Sequence, residues 1–136
     1  MALVYLLDAS AVYPLVLRLR ESILDYASTL AVLDLTVYEV GNVLWKEHRR
    51  GRVRDPLAAA RLFQELFSSI KTLRPGASIR GILELAVQEG LTFYDAAYLY
   101  TARTQGLRLV TEDRQLGRYP ESTSIEQLLR ELGSRR

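Results

Sequence analysis

Four short apolar runs, each followed by a segment with helical periodicity, constrain this chain more than any other feature. The first, Leu3 to Leu7, lacks the polar alternation of a half-exposed strand and reads as a strand buried on both faces. Similar runs occur at Ala31 to Leu35, around Ile70 to Leu73, and at Leu107 to Val110. Between them, Val37, Val40, Val43 and Leu44, then Ala59, Leu62, Phe63, Leu66 and Phe67, recur at helical spacing. Asp55-Pro56 supplies an N-cap and a first-turn proline. Ile79 to Val87 predicts a helix closed by Gly90, and Phe93 to Ala102 one closed by Gly106. Ser124 caps a short last helix through Leu132. This alternation predicts an α/β fold with a parallel sheet covered by helices on both faces.

The 136 residues contain no repeat or Ser/Gly-rich linker, so a single domain over 1–136 is expected. Cysteine is absent and His48 is the lone histidine, which excludes disulfide scaffolds, thiolate zinc sites, cysteine nucleophiles and multi-histidine metal centres. The apolar start, Met1 to Leu7, reaches Asp8 too soon for a signal-peptide core. No apolar run approaches the roughly 20 residues needed to span a bilayer. A cytoplasmic protein is expected.

Parallel sheets place their sites where strands end and helices begin. Asp8 follows the first run directly. Glu39 is expected in the first turn of the helix after the second run, Asp95 in the first turn of the helix from Thr92, and Asp113 three residues past Val110. Capping gives each acid a purely structural alternative: Thr36-x-x-Glu39 and Thr92-x-x-Asp95 match the capping box, Asp8 is placed to cap the helix after the first strand, and Asp113 the turn after the fourth. Capping does not account for Ser10 beside Asp8 or Thr111 beside Asp113. If the four acids converge, each close pair repels by about 4 kcal/mol at 4 Å and an effective dielectric near 20. Such a cluster cannot stay fully ionised without a cation. Oxygen donors without histidine or cysteine select a hard ion, Mg²⁺ or Mn²⁺, suited to metal-assisted phosphodiester hydrolysis.

Setting those four acids aside, 18 basic residues face 12 acidic ones, a balance of +6 that suits a polyanionic substrate. Sixteen of the 18 are arginine, whose planar fork matches phosphate. The segment Lys46 to Arg54 concentrates this charge. Taken alone it reads as a solvated helix end; beside an acidic metal edge it reads as a phosphate-binding patch.

Leu6-Leu7-Asp8-Ala9-Ser10, Tyr38-Glu39-Val40-Gly41-Asn42-Val43-Leu44, Phe93-Tyr94-Asp95-Ala96-Ala97-Tyr98-Leu99 and Leu109-Val110-Thr111-Glu112-Asp113-Arg114-Gln115-Leu116 resemble the four motifs of PIN domains, above all the VapC-type toxins of prokaryotic toxin-antitoxin pairs. The resemblance implies a three-layer αβα PIN-like fold with a central parallel sheet of four to five strands, ordered 3-2-1-4-5. It implies Asp8, Glu39, Asp95 and Asp113 as the Mg²⁺ or Mn²⁺ site and Ser10 and Thr111 as its hydrogen-bond support. Asn42 matches a polar residue with a lesser supporting role. Also implied are single-stranded RNA as substrate, a homodimer, and a small antitoxin that blocks the pocket. Some relatives carry another carboxylate shortly after the final aspartate; Arg114, Gln115 and Leu116 stand here instead, so one tightly held ion is expected, with any second recruited by substrate.

The leading reading is therefore a metal-dependent endoribonuclease. A second is a catalytically silent RNA-binding or partner-binding module whose acids serve as caps. A third, phosphoryl transfer through an aspartyl intermediate, is disfavoured because Ser10 stands where a second aspartate is needed and neither Lys46 nor Lys71 is suitably placed. Trp45, Phe63, Phe67, Tyr94 and Tyr98 read as core or dimer interface before base-stacking platforms. His48 is given no catalytic role. Apolar positions around Tyr38, Leu44, Leu62 and Leu66 suit either core packing or an antitoxin groove.

Overall fold

A computed structural model describes residues 2–134; Met1, Arg135 and Arg136 of the expected domain lie outside the described residues. Five parallel strands, β1 (Tyr5–Leu7), β2 (Leu30–Leu33), β3 (Lys71–Leu73), β4 (Arg108–Val110) and β5 (Ser122–Thr123), form one sheet in the order β3-β2-β1-β4-β5. Its register pairs Leu6 with Ala31 and Leu109, and Leu7 with Val110.

Side chains alternate across the sheet, so each strand feeds two cores. Tyr5, Leu7, Leu30, Val32 and Val110 enter one, shared with helices α1 (Ala9–Leu19), α2 (Asp34–Arg49), α3 (Pro56–Ser69) and α6 (Ile125–Ser134). Leu6, Ala31, Leu33 and Leu109 enter the other, beneath α4 (Ile79–Glu89) and α5 (Phe93–Gln105). All residues of β1 and β2 are fully buried, as expected for apolar runs covered on both faces. The helices end as anticipated at Gly90 and Gly106, both left-handed at φ 68° and 67°.

Several boundaries differ from expectation. The Leu3–Leu7 strand shortens to Tyr5–Leu7, although the bonds of Val4 to Thr29 and Arg108 extend the ladder by one residue. The Ala31–Leu35 strand lies at Leu30–Leu33, because α2 begins at Asp34. The Thr36 hydroxyl accepts the Leu33 amide at 3.1 Å and closes that helix start. Glu39 consequently lies in the second turn rather than the first, and the Thr36-Glu39 capping box does not form. The fifth strand, two residues of Ser and Thr, has no apolar signature because it lies at the sheet edge.

Among the described residues, no helix is long and apolar enough to cross a membrane.

Candidate active site

Because β2 and β4 flank β1, successive crossovers leave β1 in opposite directions and a crevice opens at the carboxyl ends of β1 and β4. Asp8 and Thr111 occupy that crevice, each directly after its strand. Asp8 is 4% exposed, yet both carboxylate oxygens are engaged. Its Oδ1 accepts from the Ala11 amide at 3.0 Å, capping α1, and from the Ser10 hydroxyl at 2.7 Å. Its Oδ2 accepts from the Thr111 hydroxyl. Ser10 in turn accepts the Glu112 amide at 2.9 Å, and Thr111 accepts the Asp113 amide at 3.0 Å. The two hydroxyls thus tie the end of β1 to the loop after β4. Capping and site-building coincide at this residue.

Asp113 Oδ2 accepts from the Leu116 amide at 2.9 Å, capping the turn Leu116–Arg118 as foreseen. Thr92 caps α5 by accepting the Asp95 amide at 3.1 Å. Glu39 is held from across the sheet's second layer, where the Tyr98 hydroxyl donates to its Oε1 at 2.7 Å. Since that proton goes to Glu39, the Thr36 hydroxyl, 2.7 Å away, donates to Tyr98. Backbone amide, threonine, tyrosine and glutamate therefore form one directed chain from Leu33 to Glu39.

Tyr98 and Thr36 are the contributors that the sequence reading missed. Tyr98 does belong to the core, being 2% exposed, but its hydroxyl reaches the acidic edge. Its position one helical turn after Asp95 was the available signal.

The acids act on one another in a line. Burial pushes Asp8 up from its ordinary 3.8 to about 6, opposed by its hydrogen bonds from Ser10, Thr111 and Ala11 and reinforced by the charge of Glu39. Glu39 is raised by burial, lowered by Tyr98 and raised by Asp95. Asp95 is raised by burial and by Asp113, and lowered by Thr92. No basic side chain forms an ion pair with any of the four among the described residues; the ion pairs present use Glu47, Glu121 and Glu126. Nor are three or more carboxylates already drawn together as ligands of a single ion among those residues. Oxygen donors without a counter-charge, three of them (Asp8, Glu39 and Asp95) with raised proton affinities, fit a hard divalent cation.

Asn42, one turn beyond Glu39, is exposed and lines a cavity of about 870 Å³ together with Glu39. It makes no hydrogen bond to the acids among the described residues. The basic segment lies elsewhere, at the carboxyl end of α2, about 15 Å along the helix axis from Glu39 at 1.5 Å per residue. There Arg50 and Arg52 pair with Glu47 at 3.5 and 3.2 Å, and Arg49 stacks over Trp45. His48 Nδ1 meets the Val53 carbonyl at 2.8 Å. Glu47 thus serves two exposed arginines, and Lys46 and Arg54 form no ion pair among the described residues.

The PIN domain family matches residues 2–122. The sequence is similar to Exonuclease VapC9 of Pyrobaculum aerophilum, 49% identical over 112 residues covering 82% of each chain. It is also similar to Ribonuclease VapC3 of the same organism, 38% identical over 116 residues, covering 80% of this chain and 88% of that one. Among solved structures, PAE2754 from Pyrobaculum aerophilum superposes with a TM-score of 0.87 at 44% identity, over 98% of this chain and 92% of that one. DNA-bound VapBC from Salmonella typhimurium superposes at 0.64 and 19% identity, over 90% and 98%, a likeness of fold alone.

Proposed function

Because this chain belongs to the PIN domain family, we propose that it is a Mg²⁺- or Mn²⁺-dependent endoribonuclease acting on single-stranded RNA, the toxin of a VapBC-type pair. The observation that carries the reading is the buried Asp8 carboxylate, bound on both oxygens at the sheet's crevice, at the head of a line in which Glu39 acts on Asp8, Asp95 on Glu39 and Asp113 on Asp95, with no ion pair to a basic side chain among the described residues. The nuclease and VapC names of both relatives support it.

Asp8, Asp95 and Asp113 would hold the ion, directly or through water, with Ser10 and Thr111 keeping Asp8 in place. When bound, that ion supplies Lewis acidity, favouring ionisation of water and offsetting charge on the phosphate. Glu39 orients the attacking water and takes its proton, a role favoured by its raised proton affinity. The Tyr98 hydroxyl fixes one oxygen of Glu39 and leaves the other for that water. As the water oxygen bonds to phosphorus, the bond to the leaving ribose oxygen breaks, and that oxygen is protonated from solvent.

The cytoplasm is the compartment such a substrate implies. An antitoxin partner accompanies the VapC reading. A homodimer is supported by Ile79, Leu83 and Val87, a line of exposed apolar side chains along α4.

The test is cleavage of labelled linear and circular single-stranded RNA in Mg²⁺, Mn²⁺ or EDTA, with Asp95→Asn purified in parallel. Internal cutting of the circle that needs metal and is lost in the variant is expected. Cleavage of linear RNA alone would support an exonuclease, the activity in the VapC9 name. Metal-independent binding without turnover would support the silent binding module.

A further inference from the structure

Two acids of the site are each preceded by an exposed tyrosine: Tyr38 before Glu39, 81% exposed, and Tyr94 before Asp95, 61% exposed. A single exposed ring needs no explanation, but two on the wall of one cavity do. Both line the cavity of about 870 Å³ that Glu39 shares, with Phe67, Asn42 and Arg74. The volume is that of a small-molecule pocket. Arg74 has no ion-pair partner among the described residues.

From these features we infer that this cavity is a base-binding subsite for the nucleotide adjoining the scissile phosphate, with Tyr38 and Tyr94 as stacking platforms. The inference rests on the nuclease reading above. Unpaired bases are recognised by stacking on aromatic faces and by hydrogen bonds to their exposed edges. Here the rings supply the first, and the Asn42 amide, both donor and acceptor, supplies the second. Arg74 supplies the positive charge for the neighbouring phosphate. Asp34, the other acid in the lining, has its Oδ1 on the Leu35 amide at 3.1 Å and repels phosphate, so the base and not the backbone takes the α2 side. Continuity with Glu39, which lines the same cavity, favours RNA over a protein segment, because a substrate strand held at Glu39 already runs into this space.

The experiment uses the full chain in an Asp113→Asn background that spares the RNA, with affinity for a labelled single-stranded oligonucleotide read by fluorescence anisotropy in Mg²⁺. Tyr38→Ala and Tyr94→Ala are each expected to weaken binding about 5- to 150-fold, the range of one lost stacking contact. Tyr38→Phe, which keeps the ring, stays close to the parent. An abasic residue is then walked along the oligonucleotide. At a single position it should abolish the penalty of the alanine variants, because the base they stack on is gone. Unchanged affinity in both alanine variants, or a penalty indifferent to every abasic position, overturns the subsite while metal-dependent cleavage by wild type leaves the nuclease standing. Alanine variants that lose a dimer on gel filtration yet bind RNA normally assign the rings to contacts between copies and likewise overturn it. Failure of the parent to bind or cleave any RNA removes both readings together.

Discussion

Replacing Asp8 by asparagine should make the metal-free protein more stable at neutral pH while destroying its function. The carboxyl titrates at about 6 in the folded chain and near 3.8 unfolded. A raised folded value means that the stabilisation is complete below the unfolded value and is lost as pH rises through the folded one. At 1.36 kcal/mol per unit, ionised Asp8 costs the fold about 3 kcal/mol above pH 7 and about 1 kcal/mol at pH 4.5. Asparagine is an equally good N-cap and keeps the bonds from Ala11 and Ser10. Its amide nitrogen faces Thr111, whose hydroxyl must turn away, at about 1 kcal/mol. The variant should therefore exceed wild type by about 2 kcal/mol at pH 7.5 and match it at pH 4.5. With about 2.1 cal/mol/K of unfolding entropy per residue, the neutral-pH gain is about 7 °C. Thermal denaturation in EDTA across this pH range measures the gap. Adding Mn²⁺ should raise wild type by about 2.7 kcal/mol at a hundredfold excess over Kd and leave the variant unmoved. A gap that ignores pH, or a wild type more stable than the variant at pH 7.5 without metal, would refute the account of Asp8.

Tyr98→Phe removes the donor to Glu39 and the acceptor of Thr36, so denaturant melts should show a loss of about 1–2 kcal/mol. Single-turnover cleavage by the same variant should slow while RNA affinity holds. Thr111→Val strips Asp8 Oδ2 of its donor, and Mn²⁺ titration should find affinity reduced about 10- to 100-fold. Arg74→Ala should lower the slope of log affinity against log salt by about 1, measured by anisotropy between low and physiological salt.

The sequence was legible wherever one force dominated. Apolar runs located β1 and β2 within a few residues, because double-sided burial permits little else, and β3 and β4 could be placed through Ile70, Leu73, Leu107, Leu109 and Val110 although Lys71 and Arg108 are exposed. The glycines after α4 and α5 marked ends that need a left-handed residue. β5 was invisible as a run because an edge pair such as Ser122-Thr123 buries too little apolar surface to leave a pattern; only the family resemblance anticipated it. The start of α2 was misjudged because Leu35 looks like strand, and Thr36 works from inside the first turn instead of from the cap. The acids were readable through their place after strands and near helix starts. Tyr98 was not, since a core tyrosine and one whose hydroxyl crosses to an active edge look alike until Glu39 is positioned in space. The place of the basic segment was not legible for the opposite reason: charge density in sequence ignores that a helix of α2's length puts its end about 15 Å from Glu39.

The most direct test of the central reading is to follow Mn²⁺ occupancy by electron paramagnetic resonance and RNA cleavage in the same samples, for wild type and Asp95→Asn. The account predicts that the cleavage rate rises in step with the filling of a single tight site and that both disappear in the variant. Cleavage that persists in EDTA, or that survives in Asp95→Asn with its ion still bound, would contradict it.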